Sequence, residues 1–135
     1  MPKKALGSLT EQMLYILMAF RDGPKCGTEI STLIKEKTGK RISIGPATLY
    51  TLLAKFEEAD YIIEIDKDQP GRKRTYALTK KGLNAYAEEV RRLQACLKDA
   101  RATEEALAQR TKTEKNAQSS NDLKMEEKYR NPGSH

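Results

Sequence analysis

Two short stretches in which apolar and polar residues alternate, Tyr61–Asp66 and Thr75–Thr79, flank a loop that contains Pro70-Gly71. Alternation of period two on either side of a Pro-Gly turn signal is the pattern of a β-hairpin. Ile63 and Ile65 share one side of the first strand, and Tyr76 and Leu78 one side of the second. The structured segments before and after this hairpin repeat at helical spacing. The expected fold is therefore mainly α with a small β-hairpin (α+β).

Ahead of the hairpin three helices are expected. Ser8-Leu-Thr-Glu11 has the Ser-x-x-Glu form of a capping box, in which hydroxyl and carboxylate each satisfy an orphan backbone N–H. The helix that follows carries Leu9, Met13, Ile16, Leu17 and Phe20 at helical spacing. Leu14, Tyr15 and Met18 make it apolar nearly all round, so it must be buried on more than one side. Asp22-Gly-Pro24 breaks it. A second helix after Gly27 presents Ile30, Leu33 and Ile34 on one face and stops at Gly39.

Ile42 and Ile44 belong to a brief extended link. Gly45 then stands at an N-cap and Pro46 at the first helical position, where its missing N–H costs nothing. Ile44 and Leu49 are placed to staple that cap. Leu49, Leu52, Leu53 and Phe56 fall on one side of this third helix, and Ala47, Thr51, Ala54, Lys55 and Glu58 on the other, with Thr48 and Tyr50 at the flanks. The outer face is small, bears hydroxyls, and has one long cation a turn farther on. Its shape suits a groove.

Thr79 is expected to cap a long helix in which Leu83, Tyr86, Val90, Leu93, Leu97 and Ala100 recur by threes and fours. That narrow seam calls for a partner surface, and Leu83, Tyr86, Val90, Leu93 and Leu97 are the candidate interface. Glu104 interrupts the seam, Leu107 can extend the helix, and few apolar residues follow Thr111. The organisation expected is a compact unit over residues 1–79, a helix over 80–110, and a polar, mobile tail over 111–135.

Lysine and arginine number 25 against 19 acids, a net charge of +6. Residues 101–135 hold 7 basic and 6 acidic residues, leaving 18 and 13 in residues 1–100, so the folded part carries the positive field. Such a balance favours a polyanionic partner. The longest apolar run, Met13–Phe20, is far too short to span a bilayer, and no signal-peptide cleavage pattern follows it. A cytoplasmic protein without a membrane partner is expected. Cys26 and Cys96 form neither a disulfide framework nor a metal motif, and the one histidine is His135. With no nucleophile–base pair, metal cluster or phosphate-cradling glycine loop, neither an enzyme nor a cofactor or metal site is expected.

Three helices followed by a hairpin with a basic loop is the order of a winged helix-turn-helix, in which the third helix enters the major groove of double-stranded DNA. Thr48, Tyr50, Thr51 and Lys55 are then candidates for bases or phosphates. Arg72, Lys73 and Arg74 are candidates for backbone contact from the wing. The rival reading is a winged helix that docks on another protein, which Glu57, Glu58 and Asp60 at the third helix's end keep open.

The chain resembles the PadR-type transcriptional regulators over about residues 9–100. The likeness is carried by Asp22-Gly-Pro-Lys-Cys-Gly27 with Glu29-Ile30, Pro46, Thr48-Leu-Tyr50, Leu53, Phe56-Glu-Glu58, Pro70-Gly-Arg72, Arg74, Tyr76, Leu78-Thr79 and Gly82. The resemblance implies a bacterial homodimer, usually a repressor, whose C-terminal helix packs across the dimer and whose grip on DNA is often released by a small-molecule effector. It places Ala47, Thr48, Tyr50 and Thr51 in the groove and Arg72 and Arg74 at the wing tip. An effector cavity would draw on Met13, Tyr15, Met18, Tyr86 and Leu93. The chain departs from the family pattern with Cys26-Gly-Thr28 in place of His-Gly-Tyr, Thr51 in place of Pro, and Asp60 in place of Gly. It also lacks Trp.

Overall fold

The computed structural model describes residues 6–71 and 73–129, with side chains to residue 117 and backbone alone from 118. Four helices and three short strands follow in the order α1 (Glu11–Ala19), β1 (Lys25–Cys26), α2 (Gly27–Lys37), α3 (Pro46–Glu58), β2 (Ile62–Ile65), β3 (Thr75–Leu78) and α4 (Lys80–Tyr129). The chain divides into two units at Arg92, so that α4 belongs to the first by its opening turns and makes up the second from Leu93 onward.

α1 starts two residues later than the Ser8 capping box predicts. Thr10 is its N-cap, accepting a hydrogen bond from the Met13 N–H at 3.1 Å. Glu11 does not reach back to a cap; it pairs with Arg41 at 2.6 Å, and Arg41 also donates to the Tyr15 hydroxyl at 3.0 Å. A long-range ion pair thus takes the carboxylate that local spacing had assigned to the cap.

Ile16, Leu17, Ile30, Ile34, Leu53, Phe56, Ile62 and Tyr76 are the largest fully buried side chains, and they draw α1, α2, α3 and the sheet into one core. Each such burial contributes on the order of 1.5–3 kcal/mol. The α3 boundary follows the sequence: Gly45 is the N-cap, Pro46 is at N1, and both Ile44 and Leu49 are buried.

The hairpin is part of a three-stranded antiparallel sheet of order β1-β3-β2. Ile62 faces Leu78 and Glu64 faces Tyr76 across β2–β3, while Lys25 faces Tyr76 across β1–β3. The third strand is an addition to what the sequence predicts. Cys26 ends it and is at once the N-cap of α2, its N–H donating to Glu29 Oε1 at 3.0 Å. That hydrogen bond holds the Glu29 carboxyl below its ordinary range.

α4 begins where Thr79 predicts it: the Thr79 Oγ1 accepts from the Gly82 N–H at 3.0 Å. It does not end near residue 110 but continues to Tyr129. Alanine, glutamate, lysine, glutamine and arginine predominate after Leu97, and no proline or glycine interrupts the helix beyond Gly82. The polar composition read as a tail is, as far as residue 117, that of an exposed helix.

Candidate nucleic-acid interface

The buried stripe of α3 consists of Leu49, Leu53 and Phe56. Ala47, Thr48, Tyr50, Thr51, Ala54, Lys55 and Glu58 are all exposed, so the helix presents to solvent the face that periodicity assigns to it. Thr51 Oγ1 donates to the Ala47 carbonyl at 2.9 Å, which commits its proton inside the helix and leaves its lone pairs outward. It can then accept from a base amino group. Lys55 makes no ion pair among the described residues.

Tyr50 is 49% exposed, yet its ring is not adrift. It lies along the first residue of α2, with the hydroxyl 2.9 Å from where a side chain at Gly27 would begin. The phenol is thus held between solvent and the α2 N-terminus, at the edge of the exposed α3 face.

On the wing, Lys73 is exposed and Arg72 lies outside the described residues. Arg74 is engaged: its Nε and Nη2 reach Glu64 Oε1 at 3.2 and 2.8 Å, its Nη2 lies 3.9 Å from Glu57, and its guanidinium stacks over Tyr76 at 5.7 Å. The hydrogen bond from Arg74 holds the Glu64 carboxyl below the usual range, and Glu64 in turn raises the Arg74 guanidinium. Glu57 belongs to α3 and Glu64 to β2, so Arg74 contacts both α3 and the hairpin. Glu57 entered the sequence reading only as acidity at the end of the third helix, and Glu64 not at all. The only signal was Glu64 opposite Tyr76 in a hairpin register, two residues from Arg74.

Of the candidate interface residues on α4, Leu83, Tyr86 and Val90 are half-buried, while Leu93 and Leu97 are 41% and 51% exposed; Leu107, in the same helix, is 49% exposed. Of the effector-cavity candidates in the first unit, Met13 is buried and Tyr15, Met18 and Tyr86 are half-buried. Arg41 lies over the Tyr15 ring and Arg21 over Tyr86. A groove of about 450 Å³ opens elsewhere, lined by Leu6, Leu9, Tyr61, Lys81, Ala85 and Glu89 among others. Cys26 is buried, Cys96 is exposed, and both are free thiols. Among the described residues no helix is long and apolar enough to cross a membrane.

Known structures of the same architecture exist. A transcriptional regulator from Clostridium thermocellum shares 27% identity, with a TM-score of 0.58 over 65% of this chain and 86% of that one. Bacillus subtilis PadR, solved in complex with operator DNA, shares 25% identity with a TM-score of 0.52 over 58% of this chain; the match spans only 45% of the Bacillus protein. RosR from H. salinarum, at 20% identity, a TM-score of 0.52, and 70% and 96% coverage, shares the fold. A search among curated proteins finds no match. The profile of the transcriptional regulator PadR-like family matches residues 16–88, more than half of the sequence. The chain belongs to the PadR-like family of transcriptional regulators.

Proposed function

We propose that this regulator binds double-stranded DNA as a homodimer and acts as a repressor, each copy laying α3 in the major groove. The observation that carries the reading is the exposed face of α3: Ala47, Thr48, Tyr50 and Thr51 are small or hydroxyl-bearing, and Lys55 stands one turn on. The operator complex of Bacillus PadR supports it. In this reading Thr48 and Thr51 meet base edges, Tyr50 and Lys55 meet phosphates, and Lys73, Arg74 and Arg72 hold the backbone from the wing. Pairing of two copies is supported by the exposure of Leu93 and Leu97 on a seam shared with Leu83, Tyr86 and Val90. Release by a small-molecule effector rests on the family alone.

The test is a fluorescence-anisotropy titration with the region upstream of the protein's own gene against a scrambled duplex, at two salt concentrations. The expected result is at least tenfold tighter binding to the upstream duplex, weakening as salt rises. Equal binding to both duplexes, or none, would favour instead a winged helix that docks on protein.

A further inference from the structure

Gly23, Gly39 and Gly71 have positive φ, so the backbone itself calls for glycine there. Gly27 does not: as the first residue of α2 its dihedrals suit any L-residue, and an alanine would favour the helix. What Gly27 supplies is space. A Cβ there would lie 2.9 Å from the Tyr50 hydroxyl, 3.2 Å from its Cζ and 3.3 Å from its Cε1. All three atoms belong to the far end of one half-exposed side chain, which can pivot without disturbing backbone. Tyr50 lies on the proposed DNA-facing side of α3, whereas Gly27 is buried.

We infer that Gly27 is a positioning residue for Tyr50, its bare backbone forming the seat that fixes the phenol hydroxyl for a phosphate of bound DNA. The inference rests on the DNA-binding reading for its consequence and on the α2–α3 contact for its geometry. Adding one methyl at position 27 pushes the hydroxyl outward by several tenths of an ångström. A charge-assisted hydrogen bond has its optimum within a narrow range of distance, so the contact weakens.

The variants Gly27→Ala, Tyr50→Phe and the double variant are titrated against a duplex enriched from random sequence by the wild-type protein, and each is melted thermally. Gly27→Ala is expected to bind about tenfold more weakly, the value of one hydrogen bond to a charged group, with an unchanged or slightly raised Tm. Tyr50→Phe removes the atom closest to the added methyl, so in that background Gly27→Ala is expected to cost nothing further. Wild-type affinity in Gly27→Ala, an undiminished loss in the double variant, or a Tm lowered by more than a few degrees would overturn the inference. A DNA-independent arm uses NMR: an NOE from the Gly27 Hα to the Tyr50 ring in the wild type, with displaced Tyr50 ring resonances in Gly27→Ala. Enrichment of no duplex would defeat the DNA reading, and the NOE would then decide the positioning alone, its absence overturning it.

Discussion

Gly82→Ala places a methyl in the first turn of α4, where helix propensity alone promises a gain of up to about 1 kcal/mol. The structure reverses the sign. A Cβ at position 82 would lie 2.1 Å from the Tyr61 carbonyl oxygen, 2.9 Å from its carbon and 2.8 Å from Leu78 Cδ1. An ordinary contact begins near 3.4 Å, so helix and carbonyl must part by 1.3 Å, the difference of the two distances. The Tyr61 carbonyl accepts from the Thr79 N–H at 3.0 Å; the Thr79 hydroxyl shares its one proton between the Asp60 carbonyl at 2.6 Å and the Tyr61 carbonyl at 3.1 Å, and its oxygen caps α4 by accepting from the Gly82 N–H. Separation breaks or stretches both bonds to the Tyr61 carbonyl and the cap. Two hydrogen bonds at about 1 kcal/mol each and a cap at about 1 kcal/mol, less the propensity gain, leave a net loss of about 2–3 kcal/mol. For a domain near this size that lowers Tm by roughly 10–15 °C. Thermal and urea unfolding, followed by tyrosine fluorescence as well as CD, measures it. A Tm equal to or above that of the wild type would refute the reasoning, because it would mean that α4 is not anchored to the Tyr61 carbonyl.

Lys40 holds a left-handed φ of 67° after Gly39, so Lys40→Gly is expected to stabilise by about 0.5–1 kcal/mol, strain relief outweighing the unfolded-state entropy of glycine; a lower urea midpoint would contradict this. Phe56→Ala empties a site with no exposure and is expected to cost about 3–5 kcal/mol by urea unfolding. Glu64, held below its ordinary range by Arg74, contributes stability that is complete above the unfolded value of about 4.3 and lost as pH falls through the lower folded value. An NMR titration should show the Glu64 midpoint rising in Arg74→Ala, and an unmoved midpoint would remove Arg74 as the cause. Glu64→Gln, which releases Arg74 from a countercharge, is expected to tighten DNA binding and steepen its salt dependence in the anisotropy assay, with no change or a weakening as the contrary result.

Helix and hairpin positions were legible because they rest on periodicity and on caps whose partners lie within three residues: Gly45-Pro46, Thr79, and the Leu49–Phe56 stripe. The features that escaped are decided by distant partners. Glu11 looked like a capping residue until Arg41, thirty residues away, took its carboxylate. Strand β1 is two residues long and has no alternation to detect; it exists because β3 offers an edge to Lys25 and Cys26. Asp60, standing where the family has glycine, adopts a φ of 63°, so the departure visible in the sequence marks a left-handed turn into β2 that an aspartate also fills. The length of α4 was underestimated for a different reason. A polar, breaker-free sequence is compatible with helix or with a tail, and composition does not choose between them.

The candidate interface divides its work between two kinds of group. Within α3 the charged residues are Lys55, Glu57 and Glu58, one cation against two anions, so the helix proposed to enter the groove is not the source of the positive field. Its exposed N-terminal half offers hydroxyls and small side chains, which in the proposed complex would read base edges without a large electrostatic term. In the proposed complex the attraction to phosphate would fall to Lys55 and the wing cations, of which Arg74 is partly compensated by Glu64 and Glu57. Substitutions at Thr48 and Thr51 should therefore redistribute preference among duplex sequences at a constant salt slope. Substitutions at Lys73 and Arg74 should flatten the slope while preserving the order of preference. Because Arg74 also hydrogen-bonds Glu64 across β2–β3 and stacks over Tyr76, its removal is expected to loosen the wing as well as to remove a charge. Arg74→Ala should then exceed Lys73→Ala in loss of affinity even where their changes in slope are equal.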